Sequence, residues 1–182
     1  MNHPTRDHPI PADRMGHLIR DTAPLELYSW VTPDARGAGM DALEPPADQL
    51  MQVQNYFAEY HLEYFRQRMY NEFPSRLHAQ RLFATRTDAM GFAFQHPQAV
   101  AGRMLSRAQS AGTYTVSFHD ACWLDYLRLP HSLTLETLDE ISGHYWCGKL
   151  AEEVNLSFEN ERWCAPPIIE ALFVGTLEPL MA

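Results

Sequence analysis

The residues whose types and spacing can do chemistry lie in three short stretches. The first is Glu170, a carboxylate inside the otherwise apolar run Ile168-Ile169-Glu170-Ala171-Leu172-Phe173-Val174, which follows Pro166-Pro167. The alternation of a strand puts Glu170 on the face of Ile168 and Leu172, not of Ile169 and Ala171. Burying an ionised carboxylate among apolar neighbours without partners is costly. Two readings follow: a strand Glu paired with an arginine, or a carboxylate lining a cleft. The second stretch is Phe73-Pro74-Ser75-Arg76, a turn carrying a hydroxyl and a guanidinium; alone, such a pair commonly does no more than reverse the chain. The third is His144-Tyr145-Trp146, whose rings can stack a base or another ring, with core packing the plainer role for Trp146. His144, Cys147 and Cys164 are metal-ligand types with two of them three residues apart, but no fourth ligand completes a tetrahedral set. His3, His8 and His17 have the donors for a metal; in their polar setting they read as a solvated tail.

Composition narrows the classes. At 182 residues, 46% hydrophobic and 20% charged, the chain suits one domain with a sizeable core. The formal charge is −9, from 14 Lys+Arg against 23 Asp+Glu. That balance argues against sequence-independent binding to a phosphate backbone, which needs clustered cations. A local groove from Arg66, Arg68, Arg76 and Arg81 is the one basic feature, and all but one of the cationic residues are Arg, which suits bidentate phosphate contacts. The three cysteines form no C-x-x-C pair and read as small buried hydrophobes in a reduced compartment. No apolar run approaches the ~20 residues of a membrane-spanning helix. The first residues lack the apolar core of a signal peptide, so the default location is the cytoplasm; export by a route that needs no cleaved signal leaves no mark in a sequence.

These residues need elements to position them. Residues 1–23 read as a flexible arm or loosely docked extension, and residues 24–182 as a single domain. Leu25 to Val31 is β-favouring and ends at Thr32-Pro33-Asp34. Residues 33–48 are loop. A long helix begins at Asp48, its N-cap, and ends near Phe73 because Pro74 cannot sit inside it. Leu50, Val53, Phe57, Tyr60 and Tyr64 recur at helical steps, widened by Leu62, Phe65 and Met69, and this stripe reads as core. Leu82-Phe83-Ala84 is a short buried strand, and Thr85 or Thr87 caps the next helix with Asp88 in its first turn.

After Pro97 the spacing predicts a helix over 98–109, ended by Gly112. Thr113 to Phe118 alternates and is β-branched, a strand. The apolar segment from His119 to Ser132, broken by Pro130, is mixed. A helix over Thr134 to Trp146 places Leu135, Leu138, Ile141 and Tyr145 on one side. Residues 149–165 are less defined, with Leu156 and Phe158 candidates for a short strand. Ile168 to Leu177 is the strongest strand signal of the C-terminal half. Strands at the start, middle and end without regular βαβ alternation point to α+β. Neither Rossmann nor P-loop glycine motifs, nor a G-x-S-x-G elbow, nor an H-E-x-x-H zinc helix is present.

The order of these features has a precedent. An aromatic-x-x-Val-Thr strand precedes a long helix with Glu63 and Arg66. Then come Phe73-Pro74-Ser75-Arg76, the run Leu82-Phe83-Ala84-Thr85 with Asp88-Ala89, a central strand, Tyr145-Trp146, and a last strand carrying Glu170. From roughly Leu25 to Leu177 this resembles a bacterial domain family that looks like the ADP-ribosyltransferases. The resemblance implies a split β-sheet core with flanking helices and a cleft that binds NAD as substrate. Glu170 matches the glutamate that binds the 2′-hydroxyl of the nicotinamide ribose, where negative charge stabilises an oxocarbenium-like centre. Arg76 would meet the pyrophosphate, Ser75 would orient the ribose or the Arg, and Phe83, Tyr145 and Trp146 would pack near the nicotinamide ring. Trp30-Val31-Thr32 occupies the cofactor-contacting slot of the first strand, with Trp30 where the family carries a His; Trp stacks but has a single donor.

The leading expectation is therefore a NAD-dependent mono-ADP-ribosyltransferase, or NAD glycohydrolase, acting on an unknown acceptor, more readily a protein than a nucleic acid, with no membrane partner. The alternative, motivated by Trp30, is the same fold without turnover, serving as a protein-interaction module. A third reading is a zinc-dependent hydrolase using His144, Cys147 and Cys164.

Overall fold

A computed structural model describes residues 10, 12–33, 53–128, 134–154, 157–158, 161–162 and 166–180. Its elements are β1 (Ile19–Asp21), β2 (Glu26–Val31), α1 (Val53–Met69), β3 (Gln80–Phe83), α2 (Arg86–Gln95), β4 (Met104–Asp120), α3 (Cys122–Arg128), α4 (Leu135–Trp146), β5 (Ser157–Phe158), β6 (Glu161–Arg162) and β7 (Ile169–Pro179). The fold is α+β, as the strand and helix order implied.

All pairings in the main sheet are antiparallel, in the order β1-β4-β2-β3-β7, and β4 also pairs with β7, so β4, β2, β3 and β7 close into a small barrel. β2 and β3 meet through one residue pair, Tyr28 with Phe83, and diverge on either side of it. One core, built on Leu27, Leu82, Val116, Phe118, Ala171 and Phe173, lies on one side of the strands. The other joins Phe83, Ile168 and Leu172 to the inward faces of α1, α3 and α4. The expected alternation in β7 holds: Ile168 and Leu172 belong to the helix-side core, Ile169 and Ala171 to the other.

Two expectations are corrected. The predicted helix over 98–109 is instead a 3-10 turn (Pro97–Ala99) followed by the first part of β4, 17 residues long. Met, Leu, Arg, Ala and Gln favour helix locally, but residues 104–109 ladder with β2 and residues 108–120 with β7, and that pairing overrides propensity. Gly112, at φ +72°, sits where the register shifts between Ala111 and Thr115, so one strand bends to serve two neighbours.

The face of α1 is also turned. Phe57, Tyr60, Tyr64 and Met69, read as core, are exposed; of the same stripe Leu62 is buried and Phe65 packs on the core, and Ala58 and Glu59 are buried beside them. Polar residues face inward here because the helix packs against an ionic cluster, which a hydrophobic periodicity cannot register. The helix ends at Met69 rather than near Phe73; Asp48 and Leu50 lie outside the described residues.

Part of the N-terminal segment, read as a flexible arm or loosely docked extension, packs on the domain. Met15 bridges to Phe118, the Gly16 N–H donates to the Phe118 carbonyl at 3.0 Å, and β1 ladders with Tyr114 to Val116. Residues 12–21 are thus docked on the domain, while residues 1–9 and 11 lie outside the described set. The docking depends on two glycines in contact. Gly16 and Gly148 have φ of 66° and 78°, and a Cβ on Gly148 would sit 2.3 Å from the Gly16 nitrogen. Gly148→Ala is expected to destabilise by about 2 kcal/mol or more, from left-handed strain plus the clash. Gly102→Ala, at φ +73° with nothing within 4 Å, isolates the strain and should cost about 1 kcal/mol. Equal losses in chemical denaturation would refute the close approach.

Candidate functional site

The junction between α1 and β3 is pinned by α1 itself. Glu63 and Arg66, one helical turn apart, form a two-point ion pair at 2.8 and 3.0 Å. Arg66 also donates to the carbonyls of Asn71 and Phe73, and the Ser75 hydroxyl donates to Glu63 at 2.9 Å while accepting from the Leu77 N–H. Ser75 is therefore a clasp on the turn. On the far side of β3, the Thr85 hydroxyl caps α2 by accepting from the Asp88 N–H at 3.1 Å, as the sequence indicated. Asp88 in turn accepts from the Ile169 N–H at 2.9 Å, tying α2 to the start of β7.

This turn aims Arg76 inward. Its Nε and Nη2 each donate at 2.9 Å to the two oxygens of Glu59 on α1, and Nη1 donates to Glu170 Oε1 and, at 3.3 Å, to the Tyr145 hydroxyl. The Tyr145 hydroxyl donates to the same Glu170 oxygen at 2.6 Å. Glu59, Arg76 and Glu170 are 5–6% exposed and Tyr145 is fully buried. Burial opposes the charge on Arg76, yet Glu170 and Glu59 beside it raise its affinity for the proton well above the ordinary value. Burial pushes the Glu59 carboxyl up, but the charge and hydrogen bonds of Arg76 outweigh this and bring it down to about 2. Burial and the Glu170 charge push the Tyr145 phenol well up, so it stays a neutral donor.

Beneath Tyr145 lies His119, opposite Glu170 in the β4–β7 ladder, with ring centroids 4.6 Å apart. Its Nδ1 is 2.9 Å from the Tyr145 carbonyl, which can only accept, so Nδ1 carries the proton and Nε2 accepts from the Ser117 hydroxyl at 2.9 Å. Burial lowers its pKa to about 3, so the ring is neutral. One carboxylate oxygen of Glu170 is thus fixed by two donors, while Oε2 accepts no hydrogen bond among the described residues.

Glu170, Arg76 and Tyr145 converge; the other candidates do not join them in the expected roles. Arg76 is enclosed between two carboxylates, with four of its five N–H groups on Glu59, Glu170 and Tyr145, so its guanidinium is occupied mainly inside the domain. The single donor of Trp30 is spent on the Ala89 carbonyl at 3.0 Å, joining β2 to α2. Thr32 is exposed at the end of β2. Phe83 pairs with Glu170 across β3–β7 and packs on Phe92. Trp146 is core, its indole N–H on the Leu62 carbonyl at 2.9 Å. His144 packs on Trp123, Cys147 is exposed and Cys122 buried, and Cys164 lies outside the described residues. Among the described residues no group of three or more His, Cys, Asp or Glu side chains is placed to hold a metal, and no helix is long and apolar enough to cross a membrane. The proposed basic groove is dispersed: Arg66 pairs with Glu63, Arg68 with Asp139, and Arg76 is internal.

Glu59 and His119 were not singled out in the sequence. Glu59, Leu62, Glu63 and Arg66 recur at helical spacing, a mixed stripe that marks a helix face turned towards charge. His119 has no local signal, since its role comes from the β4–β7 register. No family model matches the chain, and no curated protein matches it.

Proposed function

We propose that this chain is an ADP-ribosyltransferase-like domain that cleaves the nicotinamide–ribose bond of NAD and passes ADP-ribose to an acceptor or to water. The observation that carries the reading is Glu170: Oε1 is anchored by Arg76 and Tyr145, and Oε2 is without a partner among the described residues. A carboxylate held this way can accept from the ribose 2′-hydroxyl and keep negative charge beside the anomeric carbon. As the C–N bond breaks, its electron pair passes to the pyridinium ring and neutral nicotinamide leaves. The oxocarbenium-like carbon then bonds to the acceptor, which loses a proton. Preorganised charge of this kind stabilises the transition state without reorganisation. Glu170→Gln is expected to lower NAD consumption by about a hundredfold; equal turnover in both proteins, or none in either, overturns the assignment.

A second reading, the same fold without turnover acting as a protein-interaction module, is favoured by α1, which turns Tyr56, Phe57, Tyr60, Tyr64 and Met69 to solvent. Calorimetry separates the two: a tight protein complex from a chain that shows no heat with NAD favours the module.

A further inference from the structure

Arg76 is 6% exposed and spends four of its five N–H groups on Glu59, Glu170 and Tyr145, so a more accessible residue is better placed to meet a ligand anion. Glu59, Arg76 and Glu170 together carry a net charge of −1, and the next charge outward is Arg81 on β3. Register places Arg81 opposite Leu172 and Phe83 opposite Glu170, so Arg81 stands on the same sheet face as Glu170, one step along the strand pair. Its Nη1 lies 3.5 Å from Glu59 Oε1, an oxygen already accepting from Arg76 at 2.9 Å. The side chain is 36% exposed, against 5–7% for Arg76, Glu59 and Glu170, so among these four groups Arg81 is the one that solvent reaches. Burial and the neighbouring Arg76 charge lower the Arg81 pKa despite the attraction of Glu59 and Glu170. The guanidinium is therefore under-compensated where it stands, and an anion at its open side relieves it.

We propose that Arg81 is the anion-contacting residue of this site, taking a phosphate or pyrophosphate oxyanion at the exposed edge of the Glu59–Arg76–Glu170 cluster. The contact has a second consequence. Drawing Arg81 off Glu59 and onto a phosphate leaves the buried cluster at −1, which strengthens the negative potential at Glu170 when the ligand is in place. Where the ligand is NAD this rests on the function proposed above; the anion contact itself does not.

The test is calorimetric titration of the 182-residue chain with inorganic pyrophosphate and with ADP-ribose at low salt, using wild type, Arg81→Gln, Arg81→Lys and, as a control, Arg68→Gln. Arg68 is exposed and paired with Asp139, away from the cluster. Arg81→Gln is expected to weaken both ligands about tenfold or more, Arg81→Lys to restore part of the loss, and Arg68→Gln to match wild type. Glu59 keeps both hydrogen bonds from Arg76 in every variant, and the denaturation midpoint verifies that each is folded. Equal pyrophosphate binding by wild type and Arg81→Gln, or no binding by wild type, overturns the proposal. Pyrophosphate bound through Arg81 by a chain that does not consume NAD leaves the anion site standing and removes the NAD reading. NAD consumption undiminished in Arg81→Gln does the reverse.

Discussion

Arg76→Met is expected to destabilise the domain by about 3–5 kcal/mol at pH 7, because it leaves two buried carboxylates facing each other without their shared cation. The size follows from what the guanidinium does: three of its nitrogens bond to Glu59 and Glu170, and no water can replace them at 5–6% exposure. Arg76→Lys keeps the charge but not the fork, and should fall between. The pH dependence identifies the cause. Glu59 titrates at about 2 when folded against 4.5 as a free carboxyl. A depressed carboxyl contributes stability above its unfolded value and loses it as pH falls through the folded one. Wild type should therefore lose about 3 kcal/mol from this residue between pH 5 and 2. Arg76→Met should do the opposite and gain as pH falls, since protonation relieves its unpaired carboxylates. Urea denaturation at pH 7, 5 and 3 reads both signs. A loss below about 1 kcal/mol at pH 7 would mean that the cluster is hydrated and not a buried ion network.

What could be read in the sequence was local. Pro74 has to break a helix, Thr85 has a capping partner three residues on, and of Leu135, Leu138, Ile141 and Tyr145, which recur on one side of α4, all but the exposed Leu135 are buried. Glu170 stood out because strand alternation alone puts it on an apolar face. Its arginine lies 94 residues earlier in the chain, a distance at which no local pattern can link the two. The misses share one cause. Hydrophobicity alone selects Phe57 and Tyr60 for the inner face of α1, whereas that face has to satisfy Arg76 and the Ser75 turn, and Glu59 and Glu63 occupy it. The helix formers before Gly112 favour a helix locally, although the conformation there is set by partners in β2 and β7 far away in sequence. Short-range preference locates caps and breaks; which face is inside depends on contacts that no window contains.

Asp120 illustrates the same limit and carries the second large effect. It ends β4, and its carboxylate accepts three backbone N–H groups: Cys122 at 3.0 Å, Ala151 at 2.8 Å and Ile168 at 3.2 Å. It thereby joins the start of α3, the turn after α4 and the residue before β7, two positions from Glu170. Burial raises the carboxyl above its ordinary range even though all three donors pull it down, so the site is dry enough that an orphaned N–H finds no substitute. Asp120→Ala leaves three such donors, each worth about 1–3 kcal/mol when unsatisfied, and an overall loss of about 3–6 kcal/mol is expected. Asp120→Asn separates hydrogen bonding from shape. Its one carbonyl oxygen can still serve Cys122 and Ile168, which share Oδ1, while its amide turns a donor towards the Ala151 N–H. The asparagine variant should therefore lose about one third to one half as much as alanine. The raised carboxyl adds a pH signature of opposite sign to that of Glu59: its contribution is complete below 3.8 and declines as pH rises through the folded value. Replacing Asp120 by Asn removes that decline, so the deficit of the variant should narrow as pH rises above 3.8. Equal losses for Asn and Ala would show that the three hydrogen bonds are not what holds the start of β7 in place.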